Sequence, residues 1–166
     1  MNRTLSRILW LIGLVLLQVL ILSRIHWFNV ATPFLYIYFV LTMNQDTSRN
    51  SLLLWGFTIG LLVDIFSNTF GVHAAATTLI AFLRPSIQRL YYVREDNEIF
   101  EPGIRAMGGA FWPYALTATI IHHTMVYVLE FFSFAQPLLL LINIAASAAL
   151  TILLILSIEL IRYRKL

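Results

Sequence analysis

The chain contains no cysteine, few charges and little glycine or proline, and each shortage excludes a class of protein. Without cysteine among its 166 residues, a disulfide scaffold, thiol chemistry and cysteine-ligated metal sites are excluded. Seven glycines and five prolines without a period exclude collagen-like and low-complexity chains. Only 11% of the residues are charged, whereas 60% are hydrophobic and the mean hydropathy is +0.82. Because soluble domains have about 25% charged residues, this composition indicates a membrane protein.

Basic residues exceed acidic residues by 11 to 8, which gives a formal net charge of +3. They are scattered at the edges of hydrophobic runs rather than clustered on one face. This pattern favours a role in membrane orientation and predicts no nucleic-acid binding.

Six hydrophobic runs predict an all-α integral membrane protein with six transmembrane helices in a single domain over residues 1–166. The predicted spans are about 5–23, 29–43, 51–66, 70–90, 106–132 and 137–161. The first run follows Arg3 and Arg7 and resembles a signal peptide, but no small-residue cleavage site follows, so we expect it to be retained. Ser67 and Asn68 predict a tight turn between antiparallel spans three and four, and Pro85 predicts a kink or the end of span four.

Six crossings place both termini on one side of the membrane, so the basic residues can be summed on each side. Arg24 alone falls on one side. The other side collects Arg3, Arg7, Arg49, Arg84, Arg89, Arg94, Arg105, Arg162, Arg164 and Lys165. Since positive residues stay inside, both termini are predicted to be cytoplasmic.

Asp64 is the only acidic residue in an apolar third run, where a charge is costly. We expect a structural role, such as capping or bonding to a neighbouring helix; an ion or substrate site and a partner-facing role are the alternatives. Gly56 and Gly60 precede it at four-residue spacing on one helical face, and Gly71 with Ala75 repeats that spacing on the next helix. These small residues predict close helix packing, within the chain or against a partner.

Three histidines lie in the hydrophobic part of the chain without a metal-binding pattern. His122 and His123 are adjacent and therefore point about 100 degrees apart on one helix, and His73 lies in the turn before span four. Interhelical hydrogen bonds are the expected role. No nucleophile lies beside a base and no carboxylates are paired by spacing, so we predict no catalytic residue, metal, cofactor or enzymatic activity.

The remaining polar residues fall into two groups. Gln18 and Asn143 are predicted to form interhelical hydrogen bonds, and Glu130 and Glu159 are expected at the membrane interfaces. The only long polar loop covers residues 91–105 and is either a solvated connector or a cytoplasmic contact surface. Its candidate contact residues are Arg94, Glu95, Asp96 and Glu98.

One stretch of the chain resembles the rod shape-determining protein MreD family. The sequence is GLLVD over residues 60–64, GVHA over 71–74 and AFL over 81–83. Pro33 at the start of an aromatic second run, the chain length, the six runs and the basic ends are also similar to that family.

The resemblance implies a non-catalytic scaffold of the bacterial cell elongation complex in the inner, cytoplasmic membrane. Its main partner would be MreC, within a wider complex of the MreB filament, a SEDS polymerase and a class B penicillin-binding protein. The family is similar in fold to the S-components of energy-coupling-factor transporters. The alternative function is therefore a substrate-binding membrane subunit of a vitamin transporter, which requires a polar, aromatic outward cavity. Short outer loops with Arg24 as their single charge favour the scaffold.

Overall fold

The structure is a computed structural model that describes residues 3–24, 31–92, 100–131 and 136–164. The elements in chain order are α1 (Arg3–Leu20), a 3₁₀ turn (Leu22–Arg24), α2 (Ile37–Leu41), α3 (Arg49–Ser67), α4 (Val72–Tyr91), α5 (Ile104–Met107), a second 3₁₀ turn (Gly108–Ala110), α6 (Phe111–Phe131) and α7 (Pro137–Arg164). The described residues thus form an all-helical protein.

Three helical stretches have the length and apolar composition needed to cross a bilayer. They are Thr4–Arg24, Arg49–Ser67 and Pro137–Arg164. The helices α4 and α6 have 20 and 21 residues, about 30 Å each at 1.5 Å per residue. The chain therefore has the character of a membrane protein.

The prediction of a helical span over residues 29–43 is wrong in its described part. Residues 31–36 are not helical, and α2 has only five residues, Ile37–Leu41. We call residues 31–43 the core segment, because it is buried in the protein except for the half-buried Thr32. Pro33 cannot donate a backbone hydrogen bond, and side chains of other helices bind the non-helical backbone around it, as described below.

The turn predicted between spans three and four is present. Helix α3 ends at Ser67, Asn68 takes the left-handed conformation with φ of 56°, and α4 begins at Val72. Pro85 lies inside α4, which continues to Tyr91, so the expectation that the helix could end there is wrong. Membrane helices tolerate proline because neighbouring groups bind the freed backbone atoms.

The described basic residues except Arg24 gather at one end of the helices, which we call the basic end. Arg7 and Arg162 line one cavity there, Arg162 pairs with Glu101, and Arg84 binds the carbonyl oxygen of Met43. The described members are Arg7, Arg49, Arg84, Arg89, Arg105, Arg162 and Arg164. Arg24 lies at the opposite end, beside the α3–α4 turn.

Candidate functional site

The small residues of α3 pack directly on α4. A Cβ atom added at Gly60 would lie 2.5 Å from the Ala74 Cα atom and 2.5 Å from the His73 carbonyl oxygen. One added at Gly56 would lie 2.8 Å from the Ala81 Cβ atom. Only glycine permits this approach of the two backbones, so the Gly56 and Gly60 face is buried inside the chain.

Gly71 does not pack against another helix of the chain, which is one of the two arrangements that its spacing predicts. A Cβ atom there would meet nothing within 4 Å, and Ala75 is exposed, so these two residues do not form an internal packing face. Gly71 instead has a φ of +80° before the first residue of α4, a conformation that glycine adopts without strain. Its role within the chain is in the turn.

Asp64 joins the end of α3 to the beginning of α4. Its Oδ1 atom accepts hydrogen bonds from the Thr69 hydroxyl at 2.5 Å and the His73 N–H at 3.0 Å, and its Oδ2 atom accepts from the Ala74 N–H at 2.8 Å. The side chain is only 2% exposed. The first N–H groups of a helix have no partner within it and favour a negative charge. The Asp64 carboxylate supplies both the hydrogen-bond acceptors and the negative charge at the beginning of α4.

A buried tyrosine connects two histidines that are distant in sequence. The Tyr36 hydroxyl lies 2.8 Å from His73 Nδ1 and 3.0 Å from His122 Nε2. A hydroxyl has one proton, so it donates to one ring and accepts from the other. His122 Nδ1 is buried and has no hydrogen-bond partner among the described residues. The histidines stand out in the sequence but Tyr36 does not, because nothing in the second run distinguishes a hydrogen-bonded tyrosine from a packed one.

His123 is held apart from this pair, as its position on the helix predicts. Its Nδ1 atom lies 2.8 Å from the Thr119 carbonyl oxygen and therefore carries a proton. Its Nε2 atom lies 3.0 Å from the Thr151 hydroxyl of α7. His123 thus links α6 to α7, which is the interhelical bonding expected from the sequence.

Side chains of α1 and α7 bind the non-helical backbone of the core segment. Gln18 accepts from the Leu35 N–H at 2.9 Å and donates to the Pro33 carbonyl at 2.9 Å. Thr151 accepts from the Phe34 N–H at 2.9 Å, and Ser147 accepts from the Thr32 N–H at 3.0 Å. Non-helical backbone at membrane depth is tolerated only where the protein satisfies it, and these side chains do so.

A cavity of about 500 Å³ opens at the end opposite the basic end. Its polar lining includes Arg24, Thr32, Thr69, His73, Tyr127, Glu130 and Asn143. Asn143 is buried, and its Oδ1 atom has no hydrogen-bond partner within the described ranges. Phe34 and Phe131 add aromatic surface. The cavity therefore has both polar and aromatic walls.

Glu159 is more buried than its predicted interfacial position implies. It is 3% exposed and accepts hydrogen bonds from the Tyr38 hydroxyl, from the Ile104 N–H at 2.8 Å and from Arg162 at 3.2 Å. It therefore joins α7 to the core segment and to α5. The predicted loop contacts Arg94, Glu95, Asp96 and Glu98 lie outside the described residues.

An apolar groove lies on the outer surface between α3 and α4. Its volume is about 640 Å³. Small residues Gly71, Ala74, Ala75 and Thr78 line it together with Leu53, Phe57, Leu61, Leu79 and Phe82.

Within the described part of the chain, no three His, Asp or Glu side chains are placed to hold a metal ion. Comparison of the chain with protein-family models, curated proteins and solved structures finds no match.

Proposed function

We propose that the protein is a non-catalytic scaffold subunit of the bacterial cell elongation complex in the inner membrane. The α3–α4 groove is the observation that carries the proposal, because it offers a continuous apolar surface with small side chains. Helix association in a bilayer depends on close packing, since lipid tails are as apolar as leucine. The resemblance of residues 60–83 to the MreD family supplies the partner, the transmembrane helix of MreC.

The proposed complex also includes the MreB filament, the SEDS polymerase and the class B penicillin-binding protein. Its cytoplasmic contacts would use the polar loop with Arg94, Glu95, Asp96 and Glu98. Depletion of the protein is expected to turn rod-shaped cells into spheres. Depleted cells that stay rod-shaped would contradict the proposal.

A matched pair of variants tests the groove itself. Ala75 and Ala149 are both exposed on membrane helices, but only Ala75 lines the groove. Ala75→Leu is expected to accumulate normally and to lose MreC in a mild-detergent pull-down, because leucine fills the space for a second helix. Ala149→Leu is expected to retain MreC. Equal recovery of MreC with both variants would show that the groove is not the docking surface.

The proposal places the basic end in the cytoplasm, with six crossings and both termini inside. The support is the positive-inside rule, since the described basic residues gather at one end. Reporter fusions after Arg49, within residues 95–101 and after Leu166 should report cytoplasm. Fusions after Asn29 and Ser133 should report the outside, and a cytoplasmic signal at Ser133 would overturn the topology.

The cavity at the opposite end favours a second candidate, a substrate-binding subunit of a vitamin transporter. Its aromatic walls and the unpartnered Asn143 Oδ1 atom suit a small polar ligand. Mass spectrometry of molecules released from the purified protein distinguishes the two functions. A stoichiometric small molecule, together with ATPase subunits in the pull-down, would replace the scaffold proposal.

A further inference from the structure

Arg84 is a buried cation without a carboxylate partner among the described residues. Arg84 lies in the second half of α4 and is only 3% exposed. The guanidinium donates to the Met43 carbonyl and, at 3.3 Å, to the Tyr114 hydroxyl. Tyr114 in turn donates to the Leu41 carbonyl at 3.0 Å. The acceptors of Arg84, the Met43 carbonyl just after α2 and the Tyr114 hydroxyl on α6, are neutral. They leave the positive charge of Arg84 uncompensated and several of its five N–H donors unused.

A cavity of about 550 Å³ lies against this side chain at the basic end. Its two charged lining residues are Arg84 and Arg89, and no acidic residue lines it in the described part of the chain. The remaining polar lining adds Gln45, Gln88, Tyr92 and Thr47, whose hydroxyl is buried and has no described hydrogen-bond partner. The cavity thus combines two positive charges with an unused hydroxyl donor.

The cavity extends from the depth of a lipid headgroup towards the interior of the bilayer. Arg84 is twelve residues after Val72, the first residue of α4, which is about 18 Å along the helix; Arg89 is about 26 Å along. A hydrocarbon core is about 30 Å thick, so Arg89 lies near its far boundary, where basic pockets between helices bind anionic headgroups. The backbone of Arg84 lies about 8 Å deeper, and its guanidinium binds the carbonyl oxygen of Met43, shortly before α3 begins at the basic end.

We propose that this cavity binds a phosphate group, and that the phosphate belongs to an anionic lipid of the leaflet at the basic end. The planar guanidinium of Arg84 would hold two phosphate oxygens, Arg89 would attract the anion from the exposed rim, and the Thr47 hydroxyl would donate a hydrogen bond. The proposal is independent of the scaffold function.

The test uses the full chain and counts bound lipids by native mass spectrometry during titration with phosphatidylglycerol or phosphatidylcholine. Arg89 is exposed and makes no described hydrogen bond, so Arg89→Gln should fold normally and bind phosphatidylglycerol about fivefold more weakly. Arg164→Gln is the control, because it removes an equal charge at the same end outside the cavity. It should bind as the unmodified protein does.

A second arm separates the two sources of phosphate by thermal unfolding in detergent. Phosphatidylglycerol is expected to raise the unfolding temperature more than inorganic phosphate does, and Arg84→Lys should reduce that rise because lysine lacks the two-pronged donor. Protection by inorganic phosphate alone, sensitive to Arg89→Gln, would replace the lipid with a soluble phosphate.

Three results would overturn the proposal. Lipid binding that Arg89→Gln leaves unchanged would show that this arginine does not hold the lipid. Binding weakened equally by Arg89→Gln and Arg164→Gln would reduce the effect to general surface charge. Phosphatidylglycerol could also bind only after Glu95, Asp96 and Glu98 are replaced by their amides. That result would mean that the arginines pair with the acidic loop of this chain instead of a lipid.

Discussion

The α3–α4 hairpin and the core segment are both buried, but they are held in different ways. In the hairpin, Gly56 and Gly60 bring two regular helices into backbone contact, and Asp64 joins them at the turn. In the core segment, regular structure is absent over residues 31–36, and side chains from distant helices replace its missing backbone bonds. Close backbone packing stabilises the hairpin, and side-chain hydrogen bonds stabilise the core segment. The two regions should therefore respond to different substitutions.

The largest effect is expected from blocking the helix contact in the hairpin. Gly60→Leu places a side chain where even a Cβ atom meets the backbone of α4, and overpacking of this kind costs about 3 kcal/mol or more. We expect loss of folded protein in size-exclusion chromatography. Gly13→Leu is the matched control, because a Cβ atom there meets nothing within 4 Å. A monodisperse Gly60→Leu protein would mean that α3 and α4 are packed less closely than the distances at Gly60 indicate.

Removing the acid at the hairpin turn should have the next largest effect. Asp64→Ala leaves the His73 and Ala74 N–H groups without their acceptor, at an expected cost of about 2 kcal/mol in the free energy of unfolding. The protein should still insert into the membrane. Asp46→Ala removes a similar charge from an exposed loop and should leave the unfolding temperature unchanged. Equal unfolding temperatures for both variants would contradict the capping role.

A smaller effect is expected from removing the hydroxyl with which Thr151 binds the core segment. Thr151→Val keeps the shape of the side chain but leaves the Phe34 N–H unpaired and takes the hydroxyl from His123 Nε2, which costs about 1 kcal/mol. Thr58→Val is its control, since that hydroxyl donates only to the Leu54 carbonyl on an exposed surface. Thermal unfolding in detergent measures the difference. If Thr58→Val destabilised the protein as much as Thr151→Val, the core segment would not depend on this bond.

A comparable effect on stability, about 1 kcal/mol, is expected from Tyr36→Phe. This change removes the hydroxyl between His73 and His122 while the aromatic packing stays. Nitrogen-15 NMR of labelled histidines should show shifts for both rings and little change at His123, which does not bind Tyr36. Unchanged His73 and His122 resonances would exclude the bridge.

The same comparison explains what could be predicted from the sequence. The hairpin depends on contacts between residues close in the chain, so the spacing of Gly56, Gly60 and Asp64 with the following turn indicated its packing. The core segment depends on pairs such as Phe34 with Thr151, which are 117 residues apart. Hydrophobicity alone predicted a helix there, because no local pattern reports where distant side chains will satisfy a backbone.

In the proposed six-crossing topology, Asp64 would also affect how the chain enters the membrane during synthesis. A helix inserted alone would bring this acid into the bilayer with its charge unpaired, which is costly. Its three donors, however, come from Thr69, His73 and Ala74, so they leave the ribosome within ten residues of it. The α3–α4 pair can therefore partition from the translocon as one unit with the acid already satisfied, before α6 and α7 have been translated.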